Sequence, residues 1–441
     1  MAHLSIENIG PIKKIDLELN RINIFIGPQS SGKSTVAKIV SFCQWLEKDC
    51  ILNQSVSHVD KEYVTRHLWE YHNMSSFFHE DSAFQYVGKG IEISYSPNKI
   101  DVKKTPGFRD MLLSKNMYLP SERNVLAIPG IYTTKLPDNY LHGFIDDWII
   151  IREKYSSGPD LRILDLKESY FFNSKNNSDM LLLDNGRRIP LSEGSSGLQS
   201  VTPLCVCIDY LTDWIYFHKE DTSAYDRKRY NEAVIARYIA NQVPEEEDFL
   251  ENIRKSNPER VSALVQKLSG ILDRMHTLQS RESDFITGES QEFKDFFEEL
   301  SLVEKNLNRP SFSNLVVEEP EKNLFPDTQI KLLYYILSKV NSERDSLIIT
   351  THSPYILYAV NNCMLASMAH KENEKEIEEL TNIPKEAWID TDKVSVWELD
   401  NGSVREDSTI QDEKGLIRDN YFDRIMHNVM ADFHILIDYS R

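Results

Sequence analysis

The 441-residue chain lacks most of what would place it in a membrane, outside the cell or along a nucleic acid. No apolar run approaches the roughly 20 residues that span a bilayer, so no membrane-embedded part is expected. The opening MAHLSIENIGPIKK interrupts every apolar stretch with polar or charged residues, unlike the continuous hydrophobic core of a secretory signal. The five cysteines (Cys43, Cys50, Cys205, Cys207, Cys363) form no metal-ligand spacing. Cys205 and Cys207 sit inside an apolar, helix-like run and read as core. These absences point to the reducing cytoplasm. Positive charge is also scarce: 50 Lys and Arg against 69 Asp and Glu give a net charge of −19. That balance argues against a surface built broadly for nucleic acid, while leaving room for one basic groove. A protein partner is at least as well supported as DNA.

Against this background one eight-residue string stands out. GPQSSGKS, running from Gly27 through Pro28, Gln29, Ser30, Ser31, Gly32 and Lys33 to Ser34, fits G-x-x-x-x-G-K-[ST] at every fixed position. Residues 21–26 (RINIFI) before it read as a short apolar strand. After it, from Thr35 on, Val36, Ile39, Val40, Cys43 and Leu46 recur at helical spacing. Strand, glycine loop and helix together make a phosphate cradle, in which backbone N–H groups turn inward and the helix N-terminus adds partial positive charge. Lys33 is placed to reach the β and γ phosphates, and the Ser34 hydroxyl to take a magnesium position. ATP and Mg2+ are the expected ligands.

The complementary half of such a site is a carboxylate pair at the end of a buried strand. FSNLVVEE at 312–319 supplies it: Glu318 is the expected magnesium-side carboxylate, and Glu319 is placed to polarise a water attacking the γ phosphate. A second apolar strand, within SLIITTHS, ends at His352, positioned to contact the γ phosphate or that water. The intervening residues 327–341 are enough for the one helix that a crossover between adjacent parallel strands needs. LSEGSSGLQS at 191–200 opens the apolar run 201–216. Its small residues either present free N–H groups to a phosphate, from Ser195, Ser196 and Gly197, or simply cap a helix.

Taken in order, the phosphate loop, the serine-glycine segment, Glu-Glu-Pro-Glu and the strand leading to Thr-His-Ser-Pro resemble the ABC-type ATPases of the SMC, Rad50 and RecF group. They resemble more closely its compact branch, the OLD-family ATPase domain and the AAA15-type ATPases of bacterial defence systems. The opening IENIGPIKKIDLELNRINIFIGPQSSGKST, EEPEKNLFP, TTHSPYIL and MYLPSERN, with its Arg123, carry the likeness across residues 1 to about 366. The resemblance implies an α/β phosphate-loop fold of the ABC-type head, with a β-rich lobe and a helical insertion before the carboxylate strand. It also implies a homo-oligomer in which Ser195 to Gly197 of one subunit complete the ATP site of another. Two departures are visible: SSGLQ stands where transporters carry LSGGQ, and the magnesium carboxylate is Glu318 and not an Asp.

The sequence therefore divides into an N-terminal ATPase lobe (1–212), a charged, helix-prone insertion (213–310) and a C-terminal lobe (311–441). The insertion, with helical stretches at 225–241, 246–255, 258–276 and 291–307, reads as an oligomerisation element, a docking surface or a solvated decoration. No sustained heptad run suggests a long SMC-type arm in the N-terminal lobe. Strands are expected at 91–95, 116–119 and 180–183, a hairpin at 394–404 turning at Asp400-Asn401-Gly402, and a last helix over 419–431. Asp390-Thr391-Asp392 reads as a turn, without the strand-borne glutamate of a Toprim nuclease. The resemblance to the PARIS, Septu and retron-associated kinds implies a switch acting on a separately encoded effector such as a nuclease or toxin. A RecF-like repair ATPase that holds DNA is the alternative.

Overall fold

The computed structural model describes residues 2–156, 160–218, 231–239, 299–300, 302–303, 307, 310–340, 343–372, 382–405 and 408–439. The expected helices at 246–255 and 258–276 lie outside the described residues. Those at 225–241 and 291–307 are described only in part, with 231–239 helical.

The chain opens with strands β1 (Ala2–Ile9) and β2 (Ile12–Leu19), a hairpin in which Ala2 faces Leu19 and Ile9 faces Ile12. Alternate residues on both strands (Leu4, Ile6, Ile15, Leu17) are buried, the period-two pattern of a sheet covered on one face. All five residues of β3 (Ile22–Ile26) are buried, as a strand covered on both faces requires. Helix α1 (Lys33–Asn53) follows the glycine loop and buries Val36, Ile39, Val40, Cys43 and Leu46, the stripe read from the sequence.

Next come β4 (Phe78–Val87), β5 (Ile91–Ser96), β6 (Lys99–Lys104) and β7 (Ser114–Leu119). Helix α2 (Tyr140–Glu153), short strands β8 (Leu161–Arg162), β9 (Ser169–Asn173), β10 (Ser178–Leu182) and β11 (Arg188–Pro190), and helix α3 (Ser196–Asp209) follow. The C-terminal part supplies β12 (Phe312–Glu318), α4 (Pro326–Val340), β13 (Ser346–Thr350) and α5 (Pro354–Glu372). It ends in β14 (Val394–Asp400), β15 (Ser403–Val404) and α6 (Tyr421–Tyr439).

The described strands form one eleven-stranded sheet, ordered β6-β5-β4-β1-β2-β15-β14-β3-β13-β12-β7, and one four-stranded sheet, β11-β10-β9-β8. Within the large sheet, β14, β3, β13, β12 and β7 run parallel. Strands β6, β5, β4, β1 and β2 are antiparallel. The β14–β15 hairpin joins the halves. Its turn places Asn401 at φ 50° and Gly402 at φ 83°, and a Cβ on Gly402 would lie 2.5 Å from the Pro11 carbonyl oxygen. The sheet is sandwiched: Phe25, Val316 and Ile348 face α1 and the N-terminal strands, while Ile24, Val317 and Ile349 face α3, α4 and α5. Segments far apart in the chain thus build a single sheet around β3. Among the described residues no helix is long and apolar enough to cross a membrane.

The last helix differs from the expected 419–431. Asn420 caps it, its side-chain oxygen accepting from the Phe422 and Asp423 N–H groups at 3.0 and 3.2 Å, so helix begins at Tyr421. It continues to Tyr439 because Phe433, Leu436 and Ile437 prolong the apolar repeat beyond Ala431.

The smaller sheet and α2 are held by one buried carboxylate. Asp179 accepts from the Tyr132 and Tyr170 hydroxyls (both 2.7 Å), from Arg152 Nη1 (3.2 Å) and from the Trp148 indole (3.4 Å). Arg152 is itself buried, stacked over the rings of Tyr132 and Phe172. Replacing Asp179 with alanine leaves that guanidinium without its carboxylate, with only Asn177 Oδ1 (2.9 Å) among the described residues still accepting from it, so the substitution is expected to cost about 3–5 kcal/mol. Urea unfolding monitored by tryptophan fluorescence measures the loss; an unmoved midpoint would remove Asp179 as the hub of this lobe.

Candidate active site

The carboxyl ends of the parallel strands converge on one edge of the sheet. Glu318 pairs with Thr350, and Thr350 pairs with Phe25, two residues before Gly27. Two inter-strand spacings, roughly 10 Å, separate the Glu318 backbone from that of the strand carrying the phosphate loop. Gly27 at φ 140° and Gly32 at φ 105° occupy conformations closed to other residues. A Cβ at Gly27 would also lie 2.0 Å from the Leu399 carbonyl oxygen, and one at Gly32 would strike Ile12 at 2.7 Å. Ser30 completes the turn with φ 60°. Lys33 is buried, and its ammonium donates to the Gly27 and Pro28 carbonyls at 2.9 and 2.8 Å and to Ser31 Oγ at 3.3 Å. Burial pushes its pKa down to about 8 against the pull of Glu319 and Glu321. Ser34 is exposed in the first turn of α1, next to buried Thr35.

Glu319 leaves its strand at φ 41°, a strained backbone for a residue with a side chain, and its N–H donates to the Thr350 carbonyl at 2.9 Å. The bend turns its carboxylate toward His352, whose Nε2 lies 3.9 Å from Glu319 Oε1. Burial and the Lys33 charge hold the imidazole pKa below its usual value, so His352 is neutral at pH 7. The two loops are laced together by Glu321, which accepts the His352 backbone N–H at 2.7 Å. Burial raises the Glu321 pKa. Ser353 caps α5 by accepting from the Tyr355 and Ile356 N–H groups and donates to Gln329 on α4. The structure therefore brings Lys33, Glu318, Glu319 and His352 to a common edge, on loops of fixed shape.

What fixes that shape is Arg123, quoted in the sequence as part of MYLPSERN but without its partners. It has no exposed surface, and all five of its N–H donors are used on backbone carbonyls. Nε bonds Ser200 (3.1 Å), Nη1 bonds Pro120 (3.2 Å) and Glu318 (2.9 Å), and Nη2 bonds Glu319 (2.8 Å) and Pro320 (3.0 Å). Desolvation pushes its pKa down to about 10, still charged at neutral pH. Two further residues surround Glu318 that sequence reading did not single out. Tyr118, near the end of β7, is buried, and its phenol is held well above its usual pKa by burial and the Glu318 charge. Lys38, one turn beyond the phosphate loop, donates to the His72 carbonyl at 3.1 Å; burial lowers its pKa while Glu318 and Glu122 raise it. Its i, i+4 spacing from Ser34 was the available signal for Lys38.

Ser195 is the N-cap of α3, its Oγ accepting the Leu198 N–H at 3.3 Å. Ser195 and Ser196 are exposed, and a Cβ at Gly197 would meet the Asn323 carbonyl oxygen at 3.2 Å. Among the described residues, no hydrogen bond joins these three to the phosphate loop.

The residues fit a magnesium ion. Glu318 is buried, and among the described residues its Oε1 has no hydrogen-bond partner, which leaves that oxygen available to a cation. With the Ser34 hydroxyl it offers the all-oxygen, sparse donor set that magnesium shares with nucleotide phosphates.

A family model described as an AAA ATPase domain matches residues 293–357, the stretch that contains β12, Glu318 to Glu321, β13 and His352. No curated protein matches the chain. Among solved structures the fold is similar to the SMC head domain from Thermotoga maritima, at 10% identity and TM-score 0.33, covering 81% of this chain and 90% of that one. It is also similar to the recombination mediator protein RecF of the RecFOR pathway, at 12% identity and TM-score 0.29, covering 91% and 96%. A third is an SMC head bound to the C-terminal winged-helix domain of ScpA, at 9% and 0.33, covering 81% and 90%. The family match falls on the carboxylate and histidine loops, and with the phosphate loop beside them the chain is an ATPase of the phosphate-loop class.

Two outcomes follow from this geometry. Lys33 must be charged to hold phosphate, and its free-state pKa near 8 means a proton must be taken up with the nucleotide above that pH. ATP affinity should fall roughly tenfold per pH unit above about pH 8. In Lys33→Ala the affinity should be largely lost and the remainder pH-independent. Calorimetry across that range reads both: a flat wild-type profile would mean that Lys33 titrates well above pH 8, and undiminished affinity in Lys33→Ala would remove Lys33 from the phosphate contact. Arg123→Lys cannot serve five carbonyls with three donors, and is expected to lose about 2–4 kcal/mol of stability. It should lose turnover far more than ATP affinity; unchanged turnover would show that the Glu319 bend holds without the clamp.

Proposed function

We propose that this chain is an ABC-type ATPase switch whose ATP site is completed by a second copy, and whose opening and closing controls a separately encoded effector protein. The observation that carries the reading is the placement of Ser195 to Gly197. They stand at the start of a 14-residue helix, with Ser195 and Ser196 exposed, and among the described residues no hydrogen bond ties them to the chain's own phosphate loop. Phe325, 77% exposed and two residues beyond Asn323, which flanks Gly197, gives the same face an apolar contact of the kind buried between subunits.

In this reading Lys33 neutralises the β and γ phosphates, and the inward-turned loop from Gly27 to Gly32 fixes their position. Ser34 and Glu318 hold the magnesium ion, which when bound neutralises charge on the phosphate oxygens. The Glu319 carboxylate, bent out of its strand, accepts a proton from the attacking water. Neutral His352 donates a hydrogen bond to the γ phosphate and loses that partner after hydrolysis, which makes it the sensor. Signature residues of the neighbour close the site, so closure requires ATP and release follows its loss. The net charge of −19 supports a protein as the controlled partner. DNA held between paired heads, as in a repair ATPase, is the alternative.

Glu319→Gln keeps the shape and loses the base, so it should bind ATP at near wild-type affinity, hydrolyse it at least a hundredfold more slowly and trap the closed assembly. Mixing Lys33→Ala with Ser195→Arg subunits tests the composite site. In a two-site dimer one site of the mixed pair is intact, so part of the ATPase activity should return. No recovery, with mixed dimers shown to form, would mean that each chain works alone. Duplex DNA that binds tightly and stimulates turnover would turn the reading to the repair alternative.

A further inference from the structure

Helix α6 is built to be covered, and the described residues do not cover it. None of its 19 residues is buried. Phe422 joins the core at its base, and beyond it Met426, Val429, Phe433 and Leu436 are 61, 57, 52 and 68% exposed. The steps from 422 to 436 are four, three, four and three residues, the seam of helices that pair knobs into holes. The helix is about 28 Å long. Its base is fixed: buried Glu398, on β14, accepts the Tyr421 N–H at 2.9 Å and pairs with Arg424 and Arg405, while the Tyr358 hydroxyl donates to Asp423.

We infer that α6 is a homotypic assembly element that pairs with α6 of a second copy of this chain, independently of nucleotide. Three observations select that occupant. The four-three spacing lets a helix seat its apolar side chains in the gaps of another of the same spacing, a condition that a second copy of α6 meets. The exposed apolar side chains present on the order of 600 Å2 per copy, so a pair would bury about 1,200 Å2, the size at which specific interfaces begin. The polar face carries Asp432 and Asp438 with no Lys or Arg beyond Arg424, which repels rather than recruits an anionic lipid surface. The position adds a consequence. Glu398 pairs with Ile26, the residue before the phosphate loop, so paired helices would hold two ATP-binding edges near each other and raise their effective concentration. This contact is separate from the ATP-dependent one proposed above, and either can fail alone.

Sedimentation velocity of the full chain in EDTA without nucleotide tests it. Wild type and Lys33→Ala should both run as dimers or larger, while Val429→Asp combined with Phe433→Asp should run as a monomer. That double variant should show an unchanged circular dichroism spectrum and unchanged ATP affinity, with self-association weakened at least a hundredfold. The five native cysteines are buried, which permits a second readout. Val429→Cys should cross-link to dimer under mild oxidation, whereas Asn428→Cys, on the exposed polar side, should not. A monomeric wild type would overturn the inference, whether α6 is then covered by residues 240–298 of its own chain or by an unlike protein. So would a double variant that stays assembled. Helix-paired dimers that show no complementation in the mixing experiment would overturn only the composite ATP site.

Discussion

A guanidinium sealed from water must direct every N–H at the protein, and Arg123 directs all five at carbonyls that belong to the ATPase machinery. Three of them, on Glu318, Glu319 and Pro320, are consecutive, so one side chain dictates the path of the backbone at the point where it leaves the sheet. A fourth, on Ser200, ties that path to the helix whose start carries the serine-glycine segment. The strained φ of Glu319 persists because this clamp and the bond to Thr350 over-determine it. The acceptors are neutral, so the carboxylates nearby remain uncommitted and available for chemistry.

That Lys33, Glu318, Glu319 and His352 share one edge of the sheet was legible in the sequence because phosphate chemistry constrains local spacing. A loop that wraps phosphate must alternate small residues with a lysine at a set distance, and a carboxylate at a strand end must follow an apolar run. Lys33, Glu318, Glu319 and His352 could be found that way, and so could the hairpin at Asn401-Gly402. Arg123 could be quoted but not explained. Its partners are backbone oxygens up to 197 residues away, and a carbonyl leaves no mark in the sequence. The same holds for Asp179, whose partners come from three separate segments. Nor does apolar content near residue 400 announce that β14 lies beside β3; only the parallel register of Val394 to Glu398 against Ile22 to Ile26 does. The bare face of α6 was equally hidden, since an amphipathic repeat reads the same whether or not something covers it.

The large sheet has two characters in one continuous ladder. Its parallel half, covered on both faces, positions the chemistry; its antiparallel half, begun by the first hairpin, buttresses α1 and the phosphate loop from behind through Ile12. The joint between them is two residues of β15, and it leans on Pro11 and Lys13 through Gly402. Motion of one half is therefore transmitted to the other both along these few backbone bonds and through the core the two halves share around Phe25, Val316 and Ile348.

The contact of Gly27 with the Leu399 carbonyl has a temporal meaning. Strand β3 is made well before β14, one of its two neighbours, which follows more than 360 residues later. At elongation rates of roughly 5–20 residues per second, that delay is on the order of 20–70 seconds. During it the nascent phosphate loop has no wall on the β14 side. That side of the phosphate loop closes only when β14 arrives, so a chain terminated before β14 is born unable to complete the wall of its phosphate cradle.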